Sequence, residues 1–158
     1  MTSPMRHLAS CRAVLLDMDG TLVDSGAAVE ATWRAWARDN GLDPATVLAV
    51  CHGPDAATTV RRFLPGIGEA ELAEHVAAHR ERECADIDGV IPAPGAPELV
   101  AWLDERRLPW GVVTNAHLRL ARARLGAAGI DAPVIVSFED VAHGKPHPQG
   151  YLLGARRL

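Results

Sequence analysis

The sequence predicts an α/β protein, a parallel sheet with helices on its faces, interrupted early by an all-helical insertion. Three observations carry this reading. The apolar run Ala13-Val14-Leu15-Leu16 leads straight into Asp17-Met18-Asp19-Gly20, as expected of a short strand buried on both faces and closed by a turn. No strand-like stretch appears between Ser25 and Gly89, where the apolar spacing is helical. Beyond Gly89, strand-like and helical stretches alternate, the pattern of a parallel sheet.

Taken in order, residues 1–12 read as a loose extension and 13–16 as the first strand. Over 26–40, Val29, Trp33, Trp36 and Ala37 recur at helical spacing, and Gly41 follows as a C-terminal cap. Asp43-Pro44 marks a fresh helix start, with Val47, Leu48 and Val50 as its apolar face and His52-Gly53-Pro54 as its breaker. A helix over 55–64 ends at Pro65-Gly66. The longest helical pattern covers 69–86, with Leu72, Val76 and Ala77 inward. Gly89 to Gly95 reads as a return linker. A helix over 96–107 then points Leu99, Val100 and Leu103 inward. Residues 110–114 form a second buried strand, 118–128 a helix stopped by Gly129, 133–136 a third strand, 137–147 a loop, and 149–158 a further helix. The expected division is a core of 1–24 with 90–158 and a helical insertion, 25–89.

The bulk numbers exclude several classes. A length of 158 residues suits one domain, or a core with a small insertion. With 48% hydrophobic and 23% charged residues the chain reads as globular rather than disordered. A net charge of −4 without a basic run argues against a nucleic-acid partner or an anionic membrane. Cys11, Cys51 and Cys84 are widely spaced, which suits a reduced cytosolic protein better than a disulfide scaffold. No apolar run approaches the ~18 residues of a membrane span, and no signal-peptide core is visible. A cytoplasmic location is the expectation.

Candidate chemistry gathers at the predicted strand ends. Ligands of open parallel sheets bind beyond the carboxyl ends of the strands, where Asp17 and Asp19 lie. A carboxylate there is costly to desolvate unless a cation or hydrogen-bond donors meet it. Gly20 lets the backbone turn, and Thr21 offers a hydroxyl. The second strand ends at Thr114-Asn115-Ala116, where a hydroxyl and free backbone N–H groups at a helix start make a small anion cradle; a helix cap accounts for the same residues. After the third strand comes Gly144-Lys145-Pro146-His147-Pro148. Lys145 is the only lysine among 16 basic residues, and a compact ammonium fits between an aspartate and a phosphate where a forked guanidinium does not. Glu139-Asp140 reads as solvated loop or helix cap, with support of Lys145 as the alternative. His52, His75, His79 and His117 are spread out. His75 and His79 share a helical face without a third ligand and read as solvated, His143 and His147 as exposed loop residues, and Trp33 as core.

The run Asp17-Met18-Asp19-Gly20-Thr21-Leu22-Val23-Asp24-Ser25, followed by Thr114-Asn115 and Gly144-Lys145-Pro146, resembles three of the four signature motifs of the haloacid dehalogenase superfamily of phosphatases and phosphomutases. The resemblance implies a Rossmann-like core with an inserted helical cap. It implies Asp17 as a nucleophile that forms an aspartyl-phosphate and Asp19 as general acid/base. It also implies Mg²⁺ as cofactor, with Asp17 and Asp19 as metal-site residues. Thr114, Asn115 (through the backbone amide that follows the hydroxyl) and Lys145 would bind phosphate, and Lys145 would also serve the chemistry. Val29-Glu30-Ala31-Thr32-Trp33, Glu139-Asp140-Val141 and the stretch 144–152 look most like small sugar- and polyol-phosphate phosphatases, glycerol-3-phosphatases included. Pro54 stands where relatives carry the Arg of His-Gly-Arg. The fourth motif, an acidic pair, would lie beyond Leu158. The resemblance therefore reads as C-terminally truncated, with lowered metal affinity and turnover as the expectation. The implied function is a Mg²⁺-dependent phosphatase acting on a small phosphorylated metabolite, without nucleic-acid or membrane partner and with oligomeric state open. The alternatives are a non-catalytic fragment or phosphate-binding remnant, and a phosphoglucomutase-like isomerase. A true dehalogenase would not need the carboxylate of Asp19.

Overall fold

The computed structural model describes residues 11–52 and 55–158. The breaker residues Gly53 and Pro54 and most of the expected N-terminal extension lie outside the described residues. The chain divides into two compact units, one comprising the chain up to Asp24 together with Val90–Leu158, the other Ser25–Gly89.

The first unit is built on three short parallel strands, β1 (Val14–Leu16), β4 (Trp110–Val113) and β5 (Ile135–Val136), in the order β1-β4-β5. Leu16 is paired with Val112, and Val113 with Val136. This register brings Asp17, Thr114 and Ser137 to the same end of the sheet, because each directly follows its strand. Trp110, Val112, Val113 and Val136 are nearly or fully buried, as the continuous apolar runs of a parallel sheet require. Gly111 is required by close packing: a Cβ there would lie 2.9 Å from both the Cβ and the carbonyl oxygen of Val134.

Helices α5 (Ala96–Glu105), α6 (Leu118–Ala127) and α7 (Gln149–Arg157) follow strand β3 (Ile91–Pro92), β4 and the loop after β5. α7 presses on the sheet through a glycine face. A Cβ on Gly150 would come 2.8 Å from a Val113 methyl, and one on Gly154 would come 2.8 Å from a Leu15 methyl. Residues 91–92 depart from the expected linker. Ile91–Pro92 is strand β3, antiparallel to β2 (Val23–Asp24). A two-residue edge strand tolerates proline, since no interior ladder bond is lost.

The second unit contains α1 (Gly26–Asp39), α2 (Pro44–Leu48), α3 (Ala56–Phe63) and α4 (Glu69–Ala85), and no strand among its described residues. Local capping sets the helix starts: the Asp43 carboxylate accepts from the backbone of Ala45 and Thr46, and that of Asp55 from Thr58. Its core is Trp33, Trp36, Ala37, Val47, Cys51, Val60 and Leu72. Trp33 and Trp36 meet edge to face at 5.4 Å.

The face of α4 differs from the expectation. Ala77 is exposed, and His75 and His79 point inward rather than to solvent. The His79 ring lies 4.0 Å from that of Trp33. Trp36 Nε1 donates to His75 Nδ1 at 3.2 Å. A buried indole N–H needs an acceptor, and one helical turn of spacing gives the two histidines a tryptophan each. Among the described residues, no helix is long and apolar enough to cross a membrane.

Candidate active site

The site begins where β1 ends. Residues 18–23 form a tight loop in which Leu22 and Val23 both donate to the Met18 carbonyl, at 2.9 and 3.0 Å, and Gly20 donates to Val23 at 2.8 Å. Met18, Leu22 and Val23 are fully buried and anchor the loop, while Asp17 and Asp19 remain half-buried beside it. Gly20 has φ +75°, a left-handed conformation that favours glycine over a side chain bearing Cβ.

Asp17 Oδ1 accepts from the backbone of Met18 at 2.7 Å and from Lys145 Nζ in a very short contact. The structure thus brings together two residues 128 positions apart. The lysine is held by its own backbone. Asn115 Nδ2 donates to the Lys145 carbonyl at 3.0 Å, and the Lys145 N–H donates to Asn115 Oδ1 at 2.7 Å. A Cβ on Gly144 would lie 2.6 Å from that Asn115 oxygen, so glycine is what lets the lysine loop close on the asparagine. The Asn115 side chain is therefore a clamp for the lysine loop, a role sequence reasoning did not find.

Thr114 is buried at the end of β4, and its Oγ1 accepts from the Ala116 N–H at 3.0 Å. The expected cradle of free amides at the following helix is different in detail. Glu139 reaches across and accepts from the Leu118 N–H at 3.0 Å and contacts His117 Nδ1 at 2.9 Å. The first amide of α6 is thus already satisfied, and Thr114 does not cap that helix. Glu139 is held below the usual carboxylate range: its partial burial pulls the other way, but hydrogen bonds from its own amide, Ser137, His117 and Leu118 outweigh it.

Asp140 closes a capping box with Ser137 and pairs with Arg157 Nη2 at 2.6 Å. The Arg157 hydrogen bond, with those from Ser137, holds its carboxyl at about 2. The acidic pair is therefore a helix cap and a loop anchor. Its described contacts go to residues other than Lys145. His143 and His147 are exposed, with rings 5.1 Å apart.

Asp19 carries a second feature absent from the sequence reading. Its Oδ1 accepts from Arg124 Nη1 at 3.0 Å. Arg124 sits on the inner face of α6 with Leu120, Ala121 and Leu125. The signal was an arginine on the apolar stripe of a helix, a position where a carboxylate partner is needed.

Among the described residues, no three His, Cys, Asp or Glu side chains gather as a metal group. The residues that could hold a divalent cation are Asp17 and Asp19, each side chain about one-third exposed. Mg²⁺ is held through one or two carboxylates with water and phosphate oxygens, and two hard oxygen donors on one turn fit that chemistry.

Residues 11–158 match the haloacid dehalogenase-like hydrolase family. The chain belongs to this family. It is 44% identical to hexitol phosphatase A of Escherichia coli over 149 residues, covering 94% of this chain and 69% of that protein. It is 33% identical to an N-acetylmuramic acid 6-phosphate phosphatase of Pseudomonas aeruginosa, covering 93% of this chain and 68% of the relative. Toward 2-deoxyglucose-6-phosphate phosphatase 2 of Saccharomyces cerevisiae it is 30% identical, with 87% of this chain covered but only 60% of the yeast protein. The crystal structure of a hydrolase from Pseudomonas syringae superposes with a TM-score of 0.71 at 26% identity, over 92% of this chain and 68% of the other. These haloacid dehalogenase-like relatives agree with the α/β core described above.

Proposed function

We propose that the chain carries the catalytic site of a phosphatase for a small sugar or polyol phosphate, with 1–24 and 90–158 as the chemical core and 25–89 as the cap. The observation that carries this reading is the Asp17–Lys145 pair at the carboxyl end of β1, held from the neighbouring strand end by Asn115. A carboxylate paired with an ammonium at that place puts a nucleophile beside a cation for the incoming phosphoryl group. The named relatives favour the class, since those reported are phosphatases of sugar or hexitol phosphates. They also favour hydrolysis over the isomerase alternative.

In this reading the two described hydrogen bonds to Asp17 both go to Oδ1, which presents Oδ2 for attack. Asp17 Oδ2 bonds to phosphorus, and the bond from phosphorus to the substrate oxygen breaks. Asp19 gives its proton to the departing alcohol. Water then attacks phosphorus, Asp19 takes its proton, and phosphate leaves with Asp17 regenerated. Lys145, the Thr114 hydroxyl and the Asn115 N–H hold the phosphoryl oxygens. When bound beside Asp17, Mg²⁺ would neutralise charge between that carboxylate and the phosphate.

The test is phosphate release from a panel of hexitol, glycerol and aldose phosphates with Mg²⁺, comparing the native chain with Asp17→Asn. The reading expects release by the native chain and a loss of at least about a thousandfold in the variant. Equal release by the two proteins would overturn it.

A further inference from the structure

We propose that Arg124 is a positioning residue for Asp19, fixing the carboxylate in the orientation from which it exchanges protons with the leaving alcohol and the attacking water. The inference rests on the phosphatase reading and adds a residue that neither the motifs nor the family match assigns.

The contrast within α6 is the starting point. Arg119 and Arg122 are exposed, whereas Arg124, on the same helix, is 5% exposed. Its neighbours on the inner face are Leu120, Ala121 and Leu125. A methionine or leucine would fill such a position without desolvating a charge. Burying a guanidinium is costly even when it is paired, and replacing a buried ion pair by apolar groups is often neutral or stabilising. Packing therefore gives no reason for an arginine here. Asp19 does.

The bond from Arg124 Nη1 to Asp19 Oδ1 spans 105 residues and joins a helix interior to the loop after β1. Asp19 itself is on that loop and its side chain is 36% exposed, so a fixed partner directs its carboxylate in a way solvent does not. The Arg124 side chain is 6% exposed and moves with the helix. It is also permanently charged, so the contact persists through proton exchange. A proton donor must stand within hydrogen-bond reach of its target in a fixed direction, and such groups are held by a supporting partner on a rigid element. Arg124 supplies that support from outside the reacting atoms.

The experiment separates positioning from folding by the leaving group. An alkyl phosphate needs its departing oxygen protonated, whereas 4-nitrophenolate leaves without a proton. Sorbitol 6-phosphate and 4-nitrophenyl phosphate are compared in the full chain with Mg²⁺ for native protein, Arg124→Met, Arg124→Lys, Asp19→Asn and the Asp19→Asn/Arg124→Met double variant. The proposal expects kcat/KM on sorbitol 6-phosphate, which ends with transfer of the phosphoryl group to Asp17 and leaves out the later water attack common to both esters, to fall about 30–100-fold in Arg124→Met, part of the 10²–10⁴ that a positioned acid supplies. It expects a fall below about threefold in kcat/KM on the aryl ester, whose leaving group needs no proton. Arg124→Lys recovers part of the loss. Arg124→Met adds nothing once Asp19 is Asn, because the two act as one unit.

Equal kcat/KM losses on the two esters, no loss on either, or additive losses in the double variant overturn the inference. Should Arg124→Met fail to fold by circular dichroism, the same ratio is read on Arg124→Lys and Arg124→Gln, and an unchanged ratio in both overturns it. A native chain that hydrolyses neither ester overturns the phosphatase reading and this inference with it. A native chain active on both, with an unaltered ratio in every Arg124 variant, overturns this inference alone.

Discussion

The helical unit 25–89 and the strand-end region of the core are held together by different physics. In the helical unit, Trp33, Trp36, Val47, Val60 and Leu72 form one apolar cluster, and two of its helices, α2 and α3, start at aspartates three residues or fewer from the amides they cap. At the strand ends, order comes from paired polar groups far apart in sequence: Asp17 with Lys145, Asp19 with Arg124, Asn115 with the Lys145 backbone, and Glu139 with the start of α6. The first arrangement yields stability from area removed from water. The second yields little net stability, because such pairs must first be desolvated, but it fixes charges in place. Substitutions in the two regions should therefore separate stability from turnover.

The largest effect is expected from Lys145→Ala. Removing the cation beside Asp17 should lower kcat by about a thousandfold, while the melting temperature shifts by no more than a few degrees. Kinetics and a thermal melt on the same protein check both halves. A large melting shift would dissolve the contrast. The counterpart is Trp36→Ala, which should destabilise the helical unit by about 3–5 kcal/mol, as truncation of a buried aromatic does. Urea unfolding followed by tryptophan fluorescence measures it.

A smaller effect tests the anchor after β5. The Asp140 carboxyl is held at about 2 by Arg157 and Ser137, against an ordinary value of 3.8. A depressed value stabilises the folded state above the unfolded value, and that stability is lost as pH falls through the folded one. Between about pH 4 and pH 2 the native chain should lose on the order of 1 kcal/mol from this group after allowance for solvent screening. Asp140→Asn should flatten that limb of the curve in acid unfolding at a series of pH values.

The smallest effect runs the other way. The Thr32 hydroxyl is buried without a hydrogen-bond partner among the described residues. Thr32→Val should raise stability by about 1 kcal/mol, read as an upward shift of the urea midpoint. A downward shift would mean that this hydroxyl is not idle.

The sequence made legible whatever is local in cause. The apolar run before Asp17, the capping aspartates and the helix breaks are short-range signals, and they place β1, α3 and the start of α2 within a residue or two of where they lie, although α2 stops at Leu48 before the expected Val50. Lys145 stood out because it is alone in its chemistry. What escaped depends on partners distant along the chain. Ile91–Pro92 looks like a linker until Val23–Asp24 lies beside it. His75 and His79 look solvated until Trp36 and Trp33 meet them. Arg124 looks like one more surface arginine on a helix rich in them, and only the fold brings Asp19 to it. Glu139 was readable as a cap, but which helix it caps was not, since α6 precedes it in the chain.

The account rests on Asp17 as the atom source for a covalent intermediate. The direct measurement is acid quenching of the chain during turnover of sorbitol 6-phosphate, followed by borohydride reduction and peptide mass mapping. An acyl phosphate on Asp17 predicts homoserine at position 17, appearing with substrate and absent without it. Phosphate release with Asp17 unmodified, or with reduction at another carboxylate, would contradict the account.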